Sequence, residues 1–100
     1  MAQWVRARDG ARDLRFNGEQ LATVQSEWTH GRRLTLALYR TDSGRYVCER
    51  IGSTQWQGEH DRHESAVCDT VQGVSEFFGF GHLSKLLYDA AGIDASEPID

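Results

Sequence analysis

Short alternating runs of apolar and polar residues dominate the first half of the chain. Residues 3–8, 13–17, 20–28, 33–41 and 45–52 are rich in Val, Leu, Thr, Tyr and Trp, and Asp9-Gly10, Asn17-Gly18, Thr29-His30-Gly31 and Asp42-Ser43-Gly44 fall between them. Gly, Asn and Asp accept the positive φ of tight turns, so the pattern predicts an antiparallel β-meander of four to five strands over about 3–52. The strongest pair is "RLTLALYRT" with "RYVCERIG". A type I turn followed by Gly44 in the left-handed region sets Thr41 opposite Arg45 and Leu38 opposite Cys48. Leu34, Leu36, Leu38, Tyr46 and Cys48 then share a core face. The other face, with Thr35, Ala37, Tyr39, Val47, Glu49 and Ile51, is half apolar and is either covered or a contact surface, a second copy of the chain included.

The period changes after residue 60. Val67, Val71, Val74 and Phe78 form a narrow stripe that predicts a helix over about 62–78, with Asp69, Gln72 and Glu76 opposite. Asp61 followed by Glu64 has the spacing of a capping box at its start, and Gly79 closes it. Leu83, Leu86, Leu87 and Ala90 predict a second helix over about 82–91, ended by Gly92-Ile93 in the form of a Schellman cap. Residues 94–100 form a polar tail with the single proline. The expected fold is α+β: the meander with two C-terminal helices on one face, as a single domain over 1–100.

A chain of 100 residues with 39% hydrophobic and 26% charged residues is globular in composition and large enough for its own core. No apolar run is long enough to cross a bilayer and the N-terminus lacks the apolar segment of a signal peptide, so no membrane partner and a cytoplasmic location are expected. Two cysteines, Cys48 and Cys68, are too few for the disulfide framework of a small secreted domain and are read as free thiols. The net charge of −4 hides an asymmetry. Residues 1–58 have a balance of +3 and residues 59–100 one of −7.

The stretch "GEHDRHESAVCDT" (58–70) gathers the only residues that look like chemistry. A structural zinc site uses four N or S ligands in short paired spacings, and His60, His63 and Cys68 do not have that spacing. Nor does the stretch offer two histidines at i, i+4 around a glutamate. No metal and no cofactor is expected, and with no nucleophile motif or phosphate loop the chain is read as not an enzyme.

Two surfaces remain. The acids Asp61, Glu64, Asp69 and Glu76 would give the first helix a negative field suited to a basic protein complex, with Trp56 or Phe80 as an apolar anchor. Alternation on the first strands places Trp4, Arg6 and Arg8 on one face with Arg15 nearby. That arginine-rich sheet face could hold phosphate and stack a base, which is the alternative function, direct nucleic-acid binding.

The meander "RLTLALYRTDSGRYVCERIG" followed by "VSEFFGFGHLSKLLYDAAGID" in a compact acidic chain resembles small accessory proteins of phages and other mobile elements. Within that group the chain is similar to anti-CRISPR proteins. The resemblance is one of size, charge and architecture, and no functional residue is carried over from it. It implies an inhibitor that works in the bacterial host cell by stoichiometric protein binding, covering a working surface of a nucleic-acid-processing effector complex such as a CRISPR effector.

Overall fold

A computed structural model describes the backbone of residues 4–9 and 12–94 and the side chains of residues 14–94. Its strands are β1 (Trp4–Asp9), β2 (Arg12–Gln25), β3 (Arg32–Thr41), β4 (Tyr46–Thr54) and β5 (Arg62–Cys68), followed by helices α1 (Val71–Phe78) and α2 (His82–Ala91). The strands form an antiparallel sheet in the order β1-β2-β3-β4-β5. The fold is the α+β meander with two C-terminal helices that the sequence predicts.

The β3–β4 hairpin forms as its turn chemistry dictates. Gly44 has φ 88°, the Thr41 N–H donates to the Arg45 carbonyl at 2.8 Å, and Leu38 lies opposite Cys48. This register puts Leu36, Leu38 and Cys48 on one face, where Val74 and Phe78 of α1 and Leu87 and Tyr88 of α2 cover them. Leu34 and Tyr46 pack at the margin of the same core. The Cys48 and Cys68 sulfurs approach to 4.0 Å as free thiols, and burial, then the neighbouring Cys68, pushes the Cys48 thiol far above its ordinary range.

The half-apolar second face is covered from within the chain. Ala37, Tyr39 and Val47 are buried beneath Leu14 and Phe16 of β2, with the Phe16 and Tyr39 rings edge to face at 5.5 Å. The first half of β2 pairs with β1 and the second half with β3, and the β1–β2 hairpin folds back so that β1 comes near β4 and β5. Two features allow this bend. Gly18 crosses β3 so closely that a Cβ there would lie 2.2 Å from the Arg40 carbonyl oxygen.

The second feature is a bulge at Leu21. The pairing steps from Gln20 opposite Tyr39 to Ala22 opposite Leu38, so one extra residue stands on the β2 side. Because side chains alternate with period two, that residue reverses which positions face which core. Even-numbered Leu14 and Phe16 therefore serve the Tyr39 core, while even-numbered Ala22 and Val24 serve the helix-covered one. Asn17-Gly18 is thus not a hairpin turn but part of one continuous strand.

The helix expected over 62–78 is corrected too. Residues 62–68 form β5, pairing His63 with Ile51, Ser65 with Glu49 and Val67 with Val47, which extends the sheet beyond residue 52. Its absence would leave β4 with an unpaired edge of N–H and C=O groups, a larger cost than the helical stripe could offset. Val67 is accordingly 46% exposed on a strand, while Val74 and Phe78 stay in the core. The helix start is Thr70, whose Oγ1 accepts from the Gly73 N–H at 3.2 Å, rather than Asp61.

Helix α2 has the expected bounds, and Gly92 (φ 71°) ends it in a Schellman motif with Ile93 N–H on the Tyr88 carbonyl and Gly92 N–H on that of Asp89. Its buried residues are Ser84, Leu87 and Tyr88, whereas Leu86 and Ala90 are exposed. The Ser84 hydroxyl donates to the Phe78 carbonyl at 2.8 Å and the Tyr88 hydroxyl to that of Gly79 at 2.6 Å, tying α2 to the end of α1. No described helix is long and apolar enough to cross a membrane. Residues 95–100 of the polar tail lie outside the described residues.

Candidate functional site

One end of the sheet, where the β2–β3 turn meets the long β4–β5 loop, carries the most developed surface. The β2–β3 turn is tight, with Thr29 and Arg32 exchanging backbone hydrogen bonds of 2.8 and 3.0 Å around His30 (φ 51°) and Gly31 (φ 76°). Opposite it, the Gln55 N–H donates to the Gly31 carbonyl at 2.8 Å, which docks the long loop on the turn.

Trp56 is the centre of this contact. Its indole N–H donates to the His30 carbonyl at 2.8 Å, and its ring lies against Gly31, where a Cβ would come within 2.7 Å of Nε1. The side chain nevertheless remains 56% exposed. A large aromatic ring is therefore held in one orientation with more than half its surface facing solvent.

The loop below Trp56 is held by charge-assisted hydrogen bonds. Arg32 Nη2 donates to Glu59 Oε2 at 2.7 Å and Thr54 Oγ1 to Glu59 Oε1 at 2.6 Å. These two donors hold the Glu59 carboxyl below the usual carboxylate range, the Thr54 hydrogen bond first and the Arg32 guanidinium second. The Thr54 N–H donates to Asp61 Oδ1 at 3.0 Å, so Asp61 caps the end of β4.

Between the loop and the strand ends lies an open cleft of about 500 Å³, lined by Arg32, Arg33, Thr54, Glu59, His60 and Arg62 among others. A second depression of about 470 Å³, lined by His30, Gly31, Gln55 and Trp56, flanks it. Arg32 and Arg62 share this side of the sheet with Glu59, both of whose carboxylate oxygens are engaged, and with Asp61 on the Thr54 N–H. Alternation on β3 sends the Arg33 side chain to the other face, where it lies 4.6 Å over the exposed Trp28 ring and its Nη1 donates to Gln25 Oε1 at 3.3 Å, while its buried Nε–H finds no acceptor among the described residues. Arg62 makes no ion pair among the described residues.

The acidic surface expected on the first helix is not assembled. Asp61 precedes β5, Glu64 lies on β5 and Asp69 in the connection to α1, so of the four acids Glu76 alone is on a helix, exposed on α1. Arg50 donates to Glu64 at 2.6 Å and Arg45 to Asp69 at 2.8 Å, which offsets both charges. Arg50 also donates to the Phe77 carbonyl at 3.2 Å and lies 4.8 Å over that ring, fixing Phe77 at the core margin. Phe80, half-buried, sits between the helices and apart from Trp56.

Alternation on β5 sends His63 and Cys68 to opposite faces of the sheet, while His60 stays in the loop, so these three side chains diverge. Among the described residues no group of three His, Cys, Asp or Glu could hold a metal ion. On the arginine face, Arg6 lies opposite Arg15 and Trp4 opposite Asn17 in the β1–β2 register. The side chains of Trp4, Arg6 and Arg8 lie outside the described residues, and Arg15 is exposed and already engaged.

Sequence reasoning found Trp56 as an aromatic among polar residues, but missed Trp28, Arg32, Arg33 and Arg62. The signal available was two tryptophans and an Arg-Arg pair beside turn sequences, "EWTHGRR" and "TQWQGEHDR". Compared with known proteins, the chain matches no family model, no curated protein and no solved structure.

Proposed function

We propose that this chain is a non-enzymatic binding protein that blocks a nucleic-acid-processing complex by stoichiometric attachment, and that it attaches through the turn end rather than through the acids of the C-terminal half. The reading keeps the function implied by the likeness to anti-CRISPR proteins and moves the contact surface. One observation carries it: Trp56 is mostly exposed yet fixed by its indole hydrogen bond to His30 and its contact with Gly31. An exposed tryptophan loses little conformational freedom on binding when it is already held, and tryptophans dominate the energetic centres of interfaces. The Arg32–Glu59 pair and the exposed Gln55 and His60 give the Trp56 loop a polar rim.

The test begins with affinity capture from the native host and continues with the purified partner in a direct binding assay. Trp56→Ala should weaken that binding by about 2 kcal/mol or more. Charge reversal of Asp69 together with Glu76 should leave it nearly unchanged. Retained affinity in Trp56→Ala with loss in the charge-reversed variant would return the contact surface to the acids.

A further inference from the structure

We infer that Cys48 and Cys68 are a disulfide site: a small-molecule disulfide oxidises the two thiols reversibly, and the bond draws the end of β5, with the start of α1, toward β4. The inference concerns the helix-covered face and does not depend on the turn end.

Register is the first argument. Cys48 lies opposite Ala66 and Cys68 opposite Tyr46, so the two cysteines are diagonal neighbours on adjacent strands, and both belong to the helix-covered core. Their sulfurs are 4.0 Å apart. A disulfide holds its sulfurs about 2 Å apart, and diagonal neighbours have Cα atoms about 7–8 Å apart, just beyond the span a disulfide prefers. Closure therefore pulls on the backbone as well as turning side chains. Such a bond is more easily reduced than a structural one, which makes the pair reversible.

Position decides which cysteine moves. Cys48 is fully buried on β4, held between β3 and β5, whereas Cys68 is half-buried and is the last residue of β5. The first turn of α1 rests on Cys68: a Cβ on Gly73 would lie 3.1 Å from the Cys68 Cβ and 3.4 Å from its sulfur. Thr70, two residues on, caps the Gly73 N–H. A shift of Cys68 is thus passed to the start of the helix.

Access sets the order of the chemistry. The Cys68 thiol loses its proton and attacks one sulfur of the small disulfide, breaking that S–S bond, and the released thiolate takes up the proton. Cys48 then gives up its proton and attacks the Cys68 sulfur, forming the Cys48–Cys68 bond and expelling the second small thiolate, which is protonated in turn. Two protein thiols are oxidised by two electrons, and one small disulfide is reduced to two thiols. Burial and then the neighbouring Cys68 push the Cys48 thiol far above its ordinary range, so the second attack is the slow one.

The test uses the full chain, reduced, freed of reductant and incubated folded with oxidised glutathione, and read by intact mass and thiol titration. Both thiols should be lost at the end of the reaction, with a mass decrease of about 2 Da, no dimer on non-reducing electrophoresis and full return with dithiothreitol. Cys48→Ala should stop after the first step with one glutathione on Cys68, and Cys68→Ala should take up none while folded. Amide hydrogen exchange should change on oxidation at Gly73 and Val74 and not at Gly44. The inference is overturned if the wild type keeps both thiols, retains glutathione or forms a linked dimer, or if Cys68→Ala is modified as readily as Cys48→Ala. Unchanged exchange at Gly73 and Val74 overturns the coupling to α1. The wild-type masses decide the bond by themselves where a variant does not fold.

Discussion

Gly18→Ala tests how the two cores share one strand. A Cβ at this position would lie 2.2 Å from the Arg40 carbonyl oxygen and 2.9 Å from the Thr41 Cα, all of it backbone that cannot rotate away. Ordinary carbon-to-oxygen contacts are about 3.3 Å or longer, so β2 and β3 must separate locally by about 1 Å. Overpacking of this kind costs about 1–3 kcal/mol, and one ladder hydrogen bond lost at the crossing adds about 1 kcal/mol. The expected destabilisation is therefore about 3 kcal/mol, which lowers the Tm of a domain of this size by roughly 12–24 °C. Urea and thermal unfolding followed by far-UV circular dichroism give the two numbers. Near-UV circular dichroism adds a local readout, because the Phe16–Tyr39 contact is seated by the bend that Gly18 allows. A Gly18→Ala variant within about 0.5 kcal/mol of the wild type would refute the close crossing.

Thr70→Ala should cost about 1 kcal/mol by removing the cap on the Gly73 N–H, measured by urea unfolding, whereas a cap at Asp61 would leave Thr70→Ala neutral. At high pH, Tyr39 is the group to follow. Its phenol is pushed up to about 12 by burial and then by the neighbouring Glu49 carboxylate, to which its hydroxyl donates at 3.1 Å. Because the folded value lies above the unfolded one near 10, this contribution to stability is complete below about pH 10 and is lost as pH rises toward 12. Spectrophotometric titration of the tyrosines should show Tyr39→Phe losing a late-titrating phenol, and a titration curve unchanged by the substitution would contradict the assigned burial.

Legibility in the sequence followed the range over which each feature is decided. The β3–β4 hairpin and α2 are settled locally, by "DSG" in one case and by a short apolar pattern ending at Gly92 in the other. Residues 62–68 are not, since "RHESAVC" fits a helical stripe and an alternating strand, and pairing with β4 selects the strand. Asn17-Gly18 reads as a turn in the sequence because a turn and a close backbone crossing both call for glycine, and only the position of Arg40 distinguishes them. The candidate site divides in the same way. Trp56 could be singled out by its polar neighbours, while Arg32 and Arg62 share one side of the sheet only after β3 and the start of β5 have been brought together through β4.

The bulge at Leu21 has a consequence for how this chain can vary. A strand with one side buried is read in steps of two, and β2 is read in one frame up to Gln20 and in the other from Ala22. Deleting Leu21 removes one residue at the margin of the helix-covered core, and it also restores one frame across the strand and asks either Leu14 and Phe16 or Ala22 and Val24 to turn outward. A two-residue change at the same place preserves the frame shift. The length of this segment is therefore constrained by parity before it is constrained by size.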